Sequence, residues 1–294
     1  MYNAGFSATQ FMPLLSSLFA LAVDPPEAMS STKLIAFLAV AGALIAFAFW
    51  LISSGNKEPD SLLDRGLRLS IAGHYAEAER SYREALADES KLKPPLRARL
   101  LICLGDVLMN LDRYPESRQY LEAALAMGDP SGSCRGSLAE WLLLQGADPR
   151  KALAWAEQAL QASTDGLGEI TSIGRIGGHL ASIVRAVAWA RRAWALTLLG
   201  RQSESQESID FAVKLAGPSF AALGRYQGRG SAPMAKTVAA DRTFLYWHTG
   251  MALLAMGQTG QAREHLGIAA NSAPQLKCAT RSRQQLERLE TAAG

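Results

Sequence analysis

Histidine is scarce in this chain, four residues in 294, and cysteine is scarcer, with three. His74, His179, His248 and His265 lie far apart, and no two stand at metal-ligand spacing. No HExxH, GxSxG or GK[ST] sequence occurs. The metalloprotease, nucleophile-elbow and phosphate-loop chemistries that depend on those spacings are therefore not expected. Cys103, Cys134 and Cys278 are odd in number and form no CxxC pair. That excludes a disulfide framework and a zinc site, and leaves each thiol as a small buried hydrophobe. Neither a cofactor, a metal nor an enzymatic activity is expected.

A concentrated charge of one sign is also missing. The formal net charge is +3. Outside the N-terminal region, 29 basic residues face 25 acidic ones, with the signs interspersed. Nucleic acid wants a concentrated basic face, so no nucleic-acid partner is expected. From Ser61 onward there is no convincing run of alternating β-branched residues, and apolar residues recur at helical spacing instead.

One long hydrophobic run is present. Residues 34–52 are apolar and uncharged throughout. At about 1.5 Å per residue, this run reaches about 30 Å, the hydrocarbon thickness of a bilayer. Trp50 lies near one end, and Lys33 and Lys57 bracket the segment. A single transmembrane helix at 34–54 follows. A cleaved signal peptide is the weaker alternative, because the run exceeds an ordinary signal core and no A-x-A site follows it. Gly42 and Ala46 form a small-xxx-small pair, through which two such helices could associate. Residues 1–33 form a charge-poor flank that is either disordered or untranslated, with synthesis starting at Met29. Lys57, Arg65 and Arg68 after the span slightly favour the cytoplasmic side for the following domain, a difference that a start at Met29 would nearly erase, so the side stays open. The expected location is a single-pass protein of a bacterial inner membrane.

Residues 73–86, Gly-His-Tyr-Ala-Glu-Ala-Glu-Arg-Ser-Tyr-Arg-Glu-Ala-Leu, read as a turn and the second helix of a hairpin. Versions recur four more times. The first unit carries Leu62, Gly66 and Leu69, then Gly73, Ala78, Tyr82 and Ala85. The second carries Leu101, Leu104, Gly105 and Leu108, then Tyr114, Ser117, Leu121 and Ala124. The third is degenerate, with Glu140 where a small residue is expected, then Ala152, Ala156 and Ala159. The fourth carries Trp189, Ala193 and Leu196, then Gly200, Ser205, Ile209 and Ala212. The fifth carries Tyr246, Gly250 and Leu253, then Gly257, Ala262, Leu266 and Ala269. So small a hairpin cannot bury its apolar face alone and must stack on its neighbours.

These residues resemble the tetratricopeptide repeat family, whose helix A has a large-small-large series, followed by a turn glycine and a small-large-small series on helix B. The resemblance implies an all-α fold: an α-solenoid of helical hairpins over residues 55–274, preceded by the transmembrane helix. Insertions are expected near 163–185 and 217–242, and a C-terminal capping helix at 275–294. It also implies a scaffold that binds a protein partner, a peptide or a helix, in a concave groove lined by the A helices. Projected onto this sequence, the groove would present Leu63, Leu67, Ile102, Asp106, Met109, Trp141, Trp194, Trp247 and Met251. Leu63 and Leu67 stand where the family's carboxylate clamp has polar residues, which argues against a chaperone-tail ligand. Two readings of this apolar face stay open. Either it receives a partner, or the chain's own segments cover it, as they would in an accessory subunit of a larger membrane complex.

Overall fold

The computed structural model describes residues 59–87, 92–128, 132–165, 175–225 and 231–292. The apolar run at 34–52, and with it the expected transmembrane helix and its N-terminal flank, lies outside them. Among the described residues no helix is long and apolar enough to cross a membrane, and none is a strand.

Among the described residues eleven helices follow one another: α1 (Pro59–Ile71), α2 (Tyr75–Leu86), α3 (Pro94–Asn110), α4 (Tyr114–Ala126), α5 (Ser133–Leu144), α6 (Pro149–Asp165), α7 (Arg175–Leu198), α8 (Gln202–Gly224), α9 (Ser231–Ala255), α10 (Thr259–Ser272) and α11 (Lys277–Thr291). The first ten pair as five hairpins.

One turn design closes all five. Helix A ends in a residue with positive φ: Gly73, Asp112, Gly146, Gly200 and Gly257. The next backbone N–H donates back to the carbonyl of a leucine five residues earlier. These bonds run from His74 to Leu69, Arg113 to Leu108, Ala147 to Leu142, Arg201 to Leu196 and Gln258 to Leu253, all at 2.9–3.0 Å. This is the Schellman arrangement, which satisfies carbonyls that a helix end leaves open. Only in the second unit does a residue with a side chain, Asp112, occupy the left-handed position.

The turns fix the repeat frame, and they correct the alignment of the third unit. Counting three residues back from each turn leucine gives Gly66, Gly105, Ala139, Ala193 and Gly250. The small residue of the third unit is thus Ala139, fully buried, and not the position of Glu140. The slip arises because the third turn is one residue longer. Its extra residue brings in Asp148, whose carboxylate accepts from the N–H groups of Arg150 and Lys151 at 3.0 and 3.1 Å and caps α6.

The small positions let the two helices of a hairpin touch. A Cβ at Gly66 would stand 2.2 Å from the Tyr82 ring, and one at Gly105 2.7 Å from Leu121. From the facing helix Ala78, Ser117, Ala152, Ser205 and Ala262 all pack with no exposure.

Much of the two insertions is helix. α7, α8 and α9 run to 24, 23 and 25 residues, so residues 175–185, 217–224 and 231–242 lengthen the fourth and fifth hairpins rather than looping out. Successive hairpins stack in series. The inner helices α3, α5, α7 and α9 each meet the next, and α9 comes back to touch α1.

Candidate functional site

The projected groove residues divide among separate packing clusters instead of lining one open channel. Leu63 is 3% exposed and, with Leu67, packs between the first two hairpins against Leu100 and Leu104. Ile102 and Met109, at 7% and 4%, pack toward Leu138. Trp194 and Trp247, at 5% and 2%, meet edge to face with ring centroids 6.2 Å apart. Met251 is partly buried against the same cluster, which also takes up Ile71 and Tyr75 from the first hairpin and Leu286 and Leu289 from α11. Trp141 is partly buried against this cluster and also against the one around Ile102 and Met109. Its indole N–H donates to the Tyr114 carbonyl at 2.8 Å, and Arg118 lies 5.4 Å over its ring.

With the third unit in its corrected frame, the inner position next to the small residue reads Leu67, Asp106, Glu140, Trp194 and Met251. Two carboxylates therefore lie on the inner face where one was expected. Glu140 is 8% exposed. It accepts from Arg191 Nε at 3.1 Å and Nη2 at 2.5 Å. His248, wholly buried, stands with Nε2 3.5 Å from the same oxygen. Its Nδ1 lies 2.7 Å from the Phe244 carbonyl, which requires the ring proton on that side. Arg191 reaches Glu140 across Gly136, where a Cβ would stand 2.9 Å from the guanidinium. Burial pushes the Glu140 carboxyl up, but Arg191 and then His248 outweigh it and hold it well below the ordinary carboxylate range. Asp106 goes the other way. Burial raises its carboxyl to about 7 against the pull of a hydrogen bond from Ser137, and the negative charge of Glu140 adds to the rise.

A second polar cluster lies at the rim. Asp112, in the second turn, accepts from Lys277 Nζ at 2.7 Å and from Arg281 Nη2 at 3.0 Å, both on α11. Arg281 also donates to Tyr114 Oη at 2.7 Å. Nearby, the Lys277 backbone N–H donates to Tyr75 Oη at 2.9 Å, and Gln275 to the Ile71 carbonyl at 3.0 Å. Burial is the largest single influence on the Asp112 carboxyl and raises it. The hydrogen bonds from Lys277 and Arg281 outweigh that and leave it below its usual value. α11 therefore does more than cover the last hairpin, which is the role its amphipathic pattern suggests. It also ties the end of the stack to the first two turns.

Arg191, His248 and the α11 cations are the interior and rim residues that sequence reasoning missed. The available signal was Glu140 itself. A glutamate amid the apolar residues of a core helix requires a cation, and Arg191 lies on the helix that packs beside it. Among the described residues there is no cluster of metal-ligating side chains.

The tetratricopeptide repeat family model matches residues 63–133 and, in a second register, 104–166. These ranges cover the first three hairpins. The match supports a tetratricopeptide repeat protein, and the helical architecture is consistent with that family's α-solenoid. Such repeats generally mediate protein–protein interaction and scaffolding, and they are typically non-catalytic. No curated protein matches the chain.

Proposed function

We propose that the chain is a scaffold that recruits or assembles a protein partner at a bilayer, anchored by one helix at residues 34–52. The observation that carries the interaction reading is the series of five hairpins closed by the same turn, the first three matched by the repeat family. The uncharged length of the apolar run supports the anchor. The Lys and Arg balance favours the repeat domain on the cytoplasmic side, and Gly42 and Ala46 offer a contact for self-association. In this reading an apolar partner helix reaches Trp194, Trp247 and Met251 only when the inner helices part.

The burial of those tryptophans favours a second reading, a structural subunit held permanently in a larger membrane complex. Crosslinking in native membranes, followed by an alkaline carbonate wash and affinity capture of the full chain, tests both. A scaffold yields a partner at sub-stoichiometric, competable levels, and a fixed subunit yields one at constant stoichiometry. Release of the full chain into the carbonate supernatant would refute the anchor.

A further inference from the structure

The charges that balance over the whole chain do not balance at one end of the stack. α7 and α9 are lengthened at their N-terminal ends and α8 at its C-terminal end, so the three extensions lie together, opposite the turns. They share a core of their own, with Ile183, Leu223 and Val238 buried and Leu180, Phe220 and Met234 packed against them. α7 contains no acidic residue, and α8 has none after Asp210. α9 contains one, Asp241, whose carboxyl burial raises to about 7. The exposed cations of this end are Lys214 and Arg225, on α8 and its C-cap, and Lys236 and Arg242 on α9.

One stripe of α8 carries the change of sign. Residues three or four apart share a helix face. The exposed line reads Glu207, Phe211, Lys214, Pro218, Ala221 and Arg225. From Phe211 onward it is apolar and basic, over about 21 Å at about 1.5 Å per residue. Phe211 is 45% exposed, with its ring centroid 4.8 Å from that of Trp189. Cations interleaved with exposed apolar side chains, and no acid among them, suit acidic lipid headgroups above an acyl boundary. A nucleic-acid backbone is held by charge and hydrogen bonds, and it gains little from Pro218 and Ala221. We propose that the α8 stripe from Phe211 to Arg225 docks on the acidic headgroups of a bilayer. This rests on the bilayer location proposed above and adds the lipid chemistry. Lys214 and Arg225 meet the headgroup anions, and Phe211, Pro218 and Ala221 enter between them.

The test uses the full chain in nanodiscs of phosphatidylcholine, alone or with phosphatidylglycerol as the acidic lipid, and an environment-sensitive dye on Ala221→Cys. Cys134 and Cys278 are buried, and wild type labelled in parallel corrects for Cys103. Phosphatidylglycerol should shift the dye emission to the blue, and high salt should reverse the shift. Lys214→Gln/Arg225→Gln should lower the docked-to-free ratio about 25-fold, about fivefold for each cation. Both side chains are exposed, so helical circular dichroism should be retained. Equal emission in the two discs overturns the proposal, as does a shift that the double variant leaves in place. An equal shift on adding a DNA duplex to phosphatidylcholine discs also overturns it, since the stripe would then serve nucleic acid. If the chain stays in both discs with no lipid-dependent shift, the anchor stands and the lipid site fails. If it leaves phosphatidylcholine discs but shifts on binding those with phosphatidylglycerol, the anchor fails and the lipid site stands.

Discussion

Replacing Glu140 with leucine should destabilise the repeat domain by about 3 kcal/mol, because it leaves a guanidinium without an anion in the inner face. Removing one member of a buried ion pair costs about 3–5 kcal/mol. Glu140 and Arg191 side chains are 10% and 17% exposed, and that residual access to water sets the lower end of the range. Arg191→Met should cost a similar amount, since it strands the Glu140 carboxylate beside His248. The double variant should lie within about 1 kcal/mol of wild type, because an apolar pair of similar volume often replaces a buried ion pair without loss. Urea denaturation followed by tryptophan fluorescence is the assay, and Trp194 and Trp247 report on this very cluster. With a slope of about 3 kcal/mol/M, each single variant should lower the midpoint by about 1 M. The acid limb offers a second readout. The folded-state carboxyl is held below its unfolded value, so its contribution is present at neutral pH and lost as pH falls. Glu140→Leu should therefore lose less stability than wild type between pH 5 and pH 3, windows set by the ordinary carboxylate range. A double variant as unstable as the sum of the two singles would refute the reasoning.

Gly66→Ala should lower the melting temperature by about 5 °C, since its Cβ meets a buried Tyr82 ring; Gly267→Ala, where the Cβ meets nothing within 4 Å on helix α10, should raise it slightly. Differential scanning fluorimetry separates the two signs. Trp247→Ala should cost about 3–5 kcal/mol by the same urea assay, as expected for an aromatic 2% exposed, whereas an open groove position would leave the midpoint nearly unchanged. Asp106→Asn should stabilise the domain more at pH 8 than at pH 5. Burial raises that carboxyl to about 7, so the folded state holds a proton that the unfolded state has already released, and wild-type stability falls as pH rises through this range. Equal effects of Asp106→Asn at the two pH values would count against that burial.

The five hairpins were legible because their signal is local. A leucine before the turn, small residues on both helices and, in four of the five turns, a glycine recur within about 20 residues of one another, and each has one physical purpose. The third unit was misread by one position because a single added turn residue shifts the frame without changing helical periodicity. That shift hid the second inner carboxylate. Trp141 entered the projected groove in place of Glu140; it packs between two apolar clusters with its indole N–H on the Tyr114 carbonyl of the neighbouring hairpin. The lengthening of α7 to α9 was hidden by glycine and proline. Pro218 sits inside α8, where packing on neighbouring helices overrides local propensity. What pairs across the stack was not legible, because Glu140 and Arg191 are 51 residues apart, and Asp112 and Lys277 165.

The two polar clusters differ in a way that bears on function. Glu140 and Arg191 are nearly enclosed, so separating them exposes charge to an apolar interior, and the inner face holds together as a unit. Asp112 is half-exposed, whereas Lys277 and Arg281 are 31% and 14% exposed, so this pair lies closer to water than the Glu140 pair without being a surface pair. α11 joins both levels: Leu276 and Cys278 sit in the cluster that holds Trp194 and Trp247, while Lys277 and Arg281 reach the second turn, so the last helix ties the tryptophan core to the first two hairpins.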